Sequence, residues 1–131
     1  MPAPVELLQR VRLFEGLGRN ELEMLSRSFK DRTFPAGQTV AQEGSGGVGF
    51  FVIESGEATV TVGGDEKRKF GAGDYFGEIA LIDEDSLRTA TITADTELKC
   101  WGLTAWEFRP LVETNSAIAW KLLMAMAEKL R

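Results

Sequence analysis

Between Gly77 and Ala90 the chain reads GEIALIDEDSLRTA, and two residues in it can do directed chemistry: the carboxylate Glu78 and, ten positions on, the guanidinium Arg88. Arg88 is the only cation between Gly71 and Thr96. A guanidinium presents a planar fork of donors that matches phosphate oxygens better than any other side chain. Gly77 followed by Glu78-Ile79-Ala80-Leu81-Ile82 suits one short helical turn, and a turn opened by glycine exposes amides that can hold an anion. A carboxylate beside such a site repels the anion unless it accepts a hydrogen bond from a hydroxyl. One small molecule carrying both a phosphate and a sugar hydroxyl satisfies both residues. Taken alone, Arg88 equally suits a surface position that offsets Asp83, Glu84 and Asp85. Those three acids read as a solvated turn, whose repulsion of a bound anion fades over roughly 8 Å.

Other chemistries are poorly supplied. The 131 residues contain no histidine, which removes the commonest general base and metal ligand, and one cysteine, Cys100, which cannot form an internal disulfide. A haem sensor with a histidine ligand, an iron–sulfur sensor needing about four cysteines, and a histidine-dependent metalloenzyme are all disfavoured. No cofactor is expected, and the chain is not read as an enzyme. A net charge of −5 and a pI near 4.8 lack the basic field that sustains binding to nucleic-acid backbones. No stretch reaches the roughly 18 apolar residues that a membrane span needs, and the start MPAPVELLQRVRLF has no secretion signature, so the expected location is cytoplasmic. Cys100, between Lys99 and Trp101, is expected to be a small core residue.

The elements that must position Glu78 and Arg88 follow from periodicity. Leu22, Leu25, Ser26 and Phe29 share one helical face, with Glu21 and Glu23 near its positive end. After Phe34-Pro35-Ala36-Gly37 the period becomes two: Val40, then Phe51 and Ile53, then Ala58, Val60 and Val62. Ten of the 14 glycines fall between positions 37 and 73, so the strands are short and punctuated by turns, which predicts an antiparallel roll or barrel. Two more strands, TATITA and ELKCWGL, follow the 76–91 segment. Thr104 and Glu107 fit a capping box, Pro110 should kink or end the short helix after it, and Thr114, Asn115 and Ser116 offer caps for a last helix to Arg131. The predicted organisation is a single domain: a helical segment over 1–31, a β-roll over 32–103 and helices over 104–131. The last helix is apolar on all sides but a strip of Lys121, Ala125 and Glu128. That exceeds what one contact with the roll needs, and a wide core contact or a homodimer seam would each account for it.

FGEIAL followed by RTA, with Arg88 ten positions after Glu78, resembles the phosphate-binding cassette of the cyclic nucleotide-binding domain family. The resemblance runs along nearly the whole chain: RVRLFEGL is similar to the family's leading helix, FPAGQTVAQEG and FFVIESGEATV to its early strands, and GAGDYFGE to its approach to the cassette. Leu87 stands where kinase-type members often carry proline, and the loop is one residue longer, as in the bacterial catabolite-activator-type regulators. The resemblance implies a mainly β fold, an antiparallel jelly-roll-like β-roll with flanking helices and a short cassette helix. It also implies that Arg88 pairs with the cyclic phosphate, that Glu78 accepts from the ribose 2′-hydroxyl, that the amides around Ile79, Ala80, Thr89 and Ala90 complete the cradle that Gly77 opens, and that Val60 touches the base. The implied function is a regulatory module that binds cAMP or cGMP and passes a helix rearrangement to an output outside this sequence. Thr89 is the named candidate for base choice. The loop length favours cAMP, with discrimination expected below about tenfold. The alternative is a protein-interaction scaffold of the same fold with an unused pocket.

Overall fold

The computed structural model describes residues 2–47, 49–83 and 85–131. Its first elements are a short helix α1 (Val5–Leu8), a 3-10 turn over Arg12–Phe14 and helix α2 (Arg19–Ser26). The expected face of α2 is formed: Leu22, Leu25, Ser26 and, just past the helix end, Phe29 are all buried. Glu21 earns its place at the positive end by accepting from the Gly18 amide at 2.9 Å. Burying each of the large apolar side chains here contributes about 1.5–3 kcal/mol, enough to dock helices too short to stand alone.

Eight strands follow: β1 (Lys30–Phe34), β2 (Thr39–Ala41), β3 (Gly49–Ser55), β4 (Ala58–Val62), β5 (Asp65–Phe70), β6 (Tyr75–Phe76), β7 (Thr91–Ala94) and β8 (Leu98–Thr104). They form two four-stranded sheets, ordered β1-β8-β3-β6 and β2-β7-β4-β5, and every pairing is antiparallel. The expected mainly β roll with flanking helices is therefore the fold. The first strand starts at Lys30, inside the segment expected to be helical.

The chain has two cores, and this changes the reading of β3. Ile53, Ala58, Val60, Phe76, Ile92, Leu98 and Cys100 lie among the residues packed between the sheets. Phe50, Val52, Trp101 and Leu103 pack on the opposite side of the first sheet with Leu8, Phe14, Leu25, Phe29, Ile118 and Leu122. The alternation of Phe51 and Ile53 thus describes only one face, because β3 is covered on both and reads as a continuous apolar run. Val62, placed in the same alternation as Val60, is exposed at the strand end. Strand β5 escaped the periodic reading because Asp65, Glu66, Lys67, Arg68 and Lys69 are all exposed on a sheet edge.

Two helices close the chain, α3 (Ala105–Thr114) and α4 (Ser116–Leu130). Of the two outcomes expected at Pro110, a kink or an end, the end is not found: α3 runs on to Thr114. Half of the capping box holds: Glu107 reaches back to the Thr104 amide at 3.0 Å. The Thr104 hydroxyl donates to the same carboxylate at 2.7 Å instead of accepting from the helix. Asn115 precedes α4 but its side chain donates to the Leu111 carbonyl at 2.8 Å, so it closes the end of α3 rather than opening α4. Helix α4 buries Ile118 and Leu122, ties Lys121 to Glu21 of α2 at 2.7 Å, and leaves Trp120, Leu123, Met124 and Leu130 exposed. No helix among the described residues is long and apolar enough to cross a membrane.

Candidate functional site

The site begins with a glycine that no other residue could replace cheaply. Gly77 has φ of +87°, the left-handed region that disfavours side chains, and it turns the chain out of β6 into a 3-10 turn, Glu78–Leu81. The expected cassette helix is thus four residues of 3-10 geometry. Ala80 and Leu81 point inward and are buried, while Ile79 is exposed. The amide of Ala80 donates to the Gly77 carbonyl at 3.0 Å, so this amide is used by the turn itself and is not a free donor. Thr89 and Ala90 lie in a bend just before β7, and their amides have no hydrogen-bond partner among the described residues.

The long loop between β2 and β3 fastens the other end of the segment. The Arg88 amide donates to the Ser45 carbonyl and the Gly44 amide to the Arg88 carbonyl, both at 2.8 Å, and Gly46 bridges Leu87. The Thr91 hydroxyl accepts from the Glu43 amide at 3.0 Å. Arg88 is therefore held through its backbone, leaving its side chain to be placed by what it touches. Its guanidinium donates to the Gly49 carbonyl at 2.7 Å and makes no ion pair within 4.0 Å among the described residues. Partial burial lowers its pKa from the ordinary arginine value, and the negative field of Glu78 works in the opposite direction. Arginine stays charged regardless.

These elements enclose a cavity of about 260 Å³, open to solvent at one side. All eight residues singled out in the sequence line it: Val60, Gly77, Glu78, Ile79, Ala80, Arg88, Thr89 and Ala90. The distribution of chemistry within the lining is uneven. Arg88, Glu78 and the Thr89 bend are its polar side, and Val60, Ile92, Ala41, Phe70 and Phe76 form an apolar wall. Such a cavity, apolar with a few convergent polar groups, is the usual form of a small-molecule site. Asp83 and Asp85 are exposed and away from this lining, and Asp85 donates its amide to the Asp83 carboxylate, as a solvated turn would. Glu84, the third acid expected in that turn, lies outside the described residues.

Sequence reasoning missed the aromatic part of the wall. Phe70 stacks on Phe76 with centroids 6.2 Å apart and planes 11° from parallel, and the Arg68 guanidinium lies 4.8 Å from the Phe70 ring centre. Both Phe70 and Arg68 belong to the unrecognised strand β5. The only available signal was the cross-strand partner: Arg68 pairs with Val60, which the sequence had already placed at the site. Cys100 is buried between the sheets away from the cavity, and burial pushes its thiol up to about 12.

The cyclic nucleotide-binding domain family matches residues 31–115, and the chain belongs to that family. It is 37% identical over 114 residues, 87% of its length, to a cyclic nucleotide-gated potassium channel of Rhizobium etli. It is 36% identical over 95 residues (72% of the chain) to a cGMP-dependent protein kinase of Toxoplasma gondii, and 38% identical over 94 residues (70%) to a cAMP-dependent protein kinase regulatory subunit of Emericella nidulans. These matches span 32%, 10% and 23% of the respective relatives. Among solved structures, the N-terminal domain of a transcriptional regulator from Streptomyces coelicolor A3(2) superposes with a TM-score of 0.88 at 29% identity, covering 95% of this chain and 92% of that one. The family carries a regulatory role and implies a cyclic nucleotide as ligand.

Proposed function

We propose that the cavity binds cAMP, with cGMP as the competing ligand, and that the domain is a regulatory switch rather than a catalyst. The observation that carries this reading is Arg88: a partly buried guanidinium facing a cavity, with no carboxylate partner within 4.0 Å among the described residues. A buried cation left in that state favours an anion from outside. In this reading Arg88 pairs with the cyclic phosphate, the Thr89 and Ala90 amides add donors, Gly77 lets the chain approach closely, and Glu78 accepts from the ribose 2′-hydroxyl. Ile79 and Ala80 shape the floor, Val60 meets the base, and Thr89 is the polar group nearest to choosing it. The relatives divide between cAMP and cGMP in their names, so preference for cAMP rests on the longer, bacterial-type loop.

The output belongs to another segment or another chain, reached by a shift of the flanking helices as the ligand favours one of two arrangements. Trp120, Leu123, Met124, Ala127 and Leu130 repeat at spacings of three and four along the exposed side of α4, and a second copy of the same helix would cover them. The competing reading, a scaffold with an unused pocket, draws on that same exposed face. A thermal melt separates the two. Saturating cAMP or cGMP at about 100 times its dissociation constant stabilises a binder by roughly 2.7 kcal/mol, and a scaffold melts unchanged.

A further inference from the structure

The Arg88 side chain is held in a slot whose walls are backbone. A β-carbon built on Gly47 would stand 2.1 Å from Nε of Arg88 and 2.5 Å from its Cζ, and one built on Gly77 would stand 2.4 Å from Nη1. The guanidinium thus lies close to the main chain at both Gly47 and Gly77, while Nη2 donates to the Gly49 carbonyl. Gly47 in the β2–β3 loop, Gly49 at the start of β3 and Gly77 at the cassette turn thus all leave room for, or accept from, this one group.

We infer that Gly47 is a positioning residue for Arg88, and that its missing side chain is what fixes the direction of the fork into the cavity. The three walls can be told apart. Gly77 needs glycine for two further reasons, its positive φ and a Gly49 carbonyl oxygen 2.5 Å from the same built atom, so a substitution there disturbs the turn as well. Gly47 is not among the residues of positive φ, and all three of the nearest atoms are in the arginine side chain. A methyl group at Gly47 therefore meets the far end of a flexible chain rather than backbone. The loop that carries it is held by the Gly44–Arg88 and Arg88–Ser45 backbone bonds, so the side chain yields and the loop stays. Gly46, its neighbour, has open space within 4 Å of a built β-carbon and provides an internal control.

This inference rests on the proposed role of Arg88 in binding the nucleotide phosphate, and one set of variants tests the two separately. In cAMP titrations, Gly47→Ala should weaken binding by about tenfold or more, the loss expected when a binding group is displaced by an ångström or so. Gly46→Ala should match the parent, and Gly47→Ala should add nothing in an Arg88→Ala background. The second readout needs no ligand. The ¹⁵N-edited Nε–H signal of Arg88, assigned by its disappearance in Arg88→Ala, should move or broaden in Gly47→Ala and stay put in Gly46→Ala. An unmoved signal, or equal losses from Gly47→Ala with and without Arg88, overturns the positioning role. A parent protein that binds neither cAMP nor cGMP overturns the functional reading instead, and the arginine signal still decides for or against Gly47.

Discussion

Arg88 donates to the carbonyl of Gly49, 39 residues away, at 2.7 Å. That single bond joins the first residue of β3 to the end of the cassette, and it is the sole hydrogen bond of the guanidinium within the described residues. It orients the group without neutralising it. A carbonyl aligns one N–H and leaves the remaining donors for a ligand, whereas a carboxylate in its place would compete with the phosphate.

Glu78 has the complementary task. Glu78→Gln keeps an acceptor oxygen but removes the charge, so cAMP affinity should fall by roughly 1–2 kcal/mol. The parent should show a similar loss with the 2′-deoxy ligand, and the two losses should not add because they break one bond. Titration of both ligands onto both proteins measures this, and additive losses would place Glu78 outside the sugar contact.

The exposed side of α4 gives a prediction independent of ligand. Leu123 is 58% and Trp120 64% exposed, and under the proposed seam a second copy of α4 covers both. Leu123→Glu should convert a dimer of the parent to a monomer in light scattering, with the circular-dichroism spectrum unchanged. A parent that is monomeric at high concentration would remove the seam.

Glu21 and Lys121 hold α2 to α4, and their contribution should depend on pH. The hydrogen bond from Lys121, followed by that from the Gly18 amide, lowers the Glu21 pKa below its ordinary value. A carboxylate depressed by folding stabilises above its unfolded pKa and loses that contribution as pH falls through the folded value. Lys121 is 38% exposed at the side chain, so solvent screening limits the pair to about 0.5 kcal/mol. Glu21→Gln should lower the melting temperature by a degree or two at pH 7. The difference should start to shrink near pH 4.3, the ordinary glutamate value, and vanish below the folded one. A difference that grows in acid would contradict the assignment.

Cys100 should be inert while the protein is folded. With 2% exposure and a thiol pKa raised to about 12, it offers almost no thiolate near neutral pH. Alkylation should track unfolding in denaturant and be negligible without it. Rapid labelling of the native protein would show that the sheets open locally at β8.

What could be read in the sequence was what depends on short-range pattern. The α2 face, the glycine-punctuated strands and the Glu78–Arg88 spacing are each patterns within one stretch of chain, and the eight residues named from the cassette and the resemblance all line one cavity. What was hidden depends on contacts between distant segments. Phe50 and Val52 are buried because helices cover the far side of β3, which no alternation within β3 reveals. Strand β5 is held by its pairing to β4 and carries no apolar stripe of its own. Pro110 sits inside a helix because α3 packs on the roll and on α4, and tertiary contact there outweighs local propensity. The slot around Arg88 brings together residues 47, 49, 77 and 88, and no spacing rule links them.

The most direct test of the account is titration calorimetry of cAMP onto the parent and onto Arg88→Ala. Arg88 has no cationic neighbour in the segment from Gly71 to Thr96 that could replace it. The parent should bind one nucleotide per chain, and the variant should lose about 2–5 kcal/mol, a weakening that titration at raised nucleotide concentration still measures, while the melting temperature without ligand stays close to that of the parent. Equal affinity for cAMP in the two proteins would contradict the assignment of this cavity as the nucleotide site.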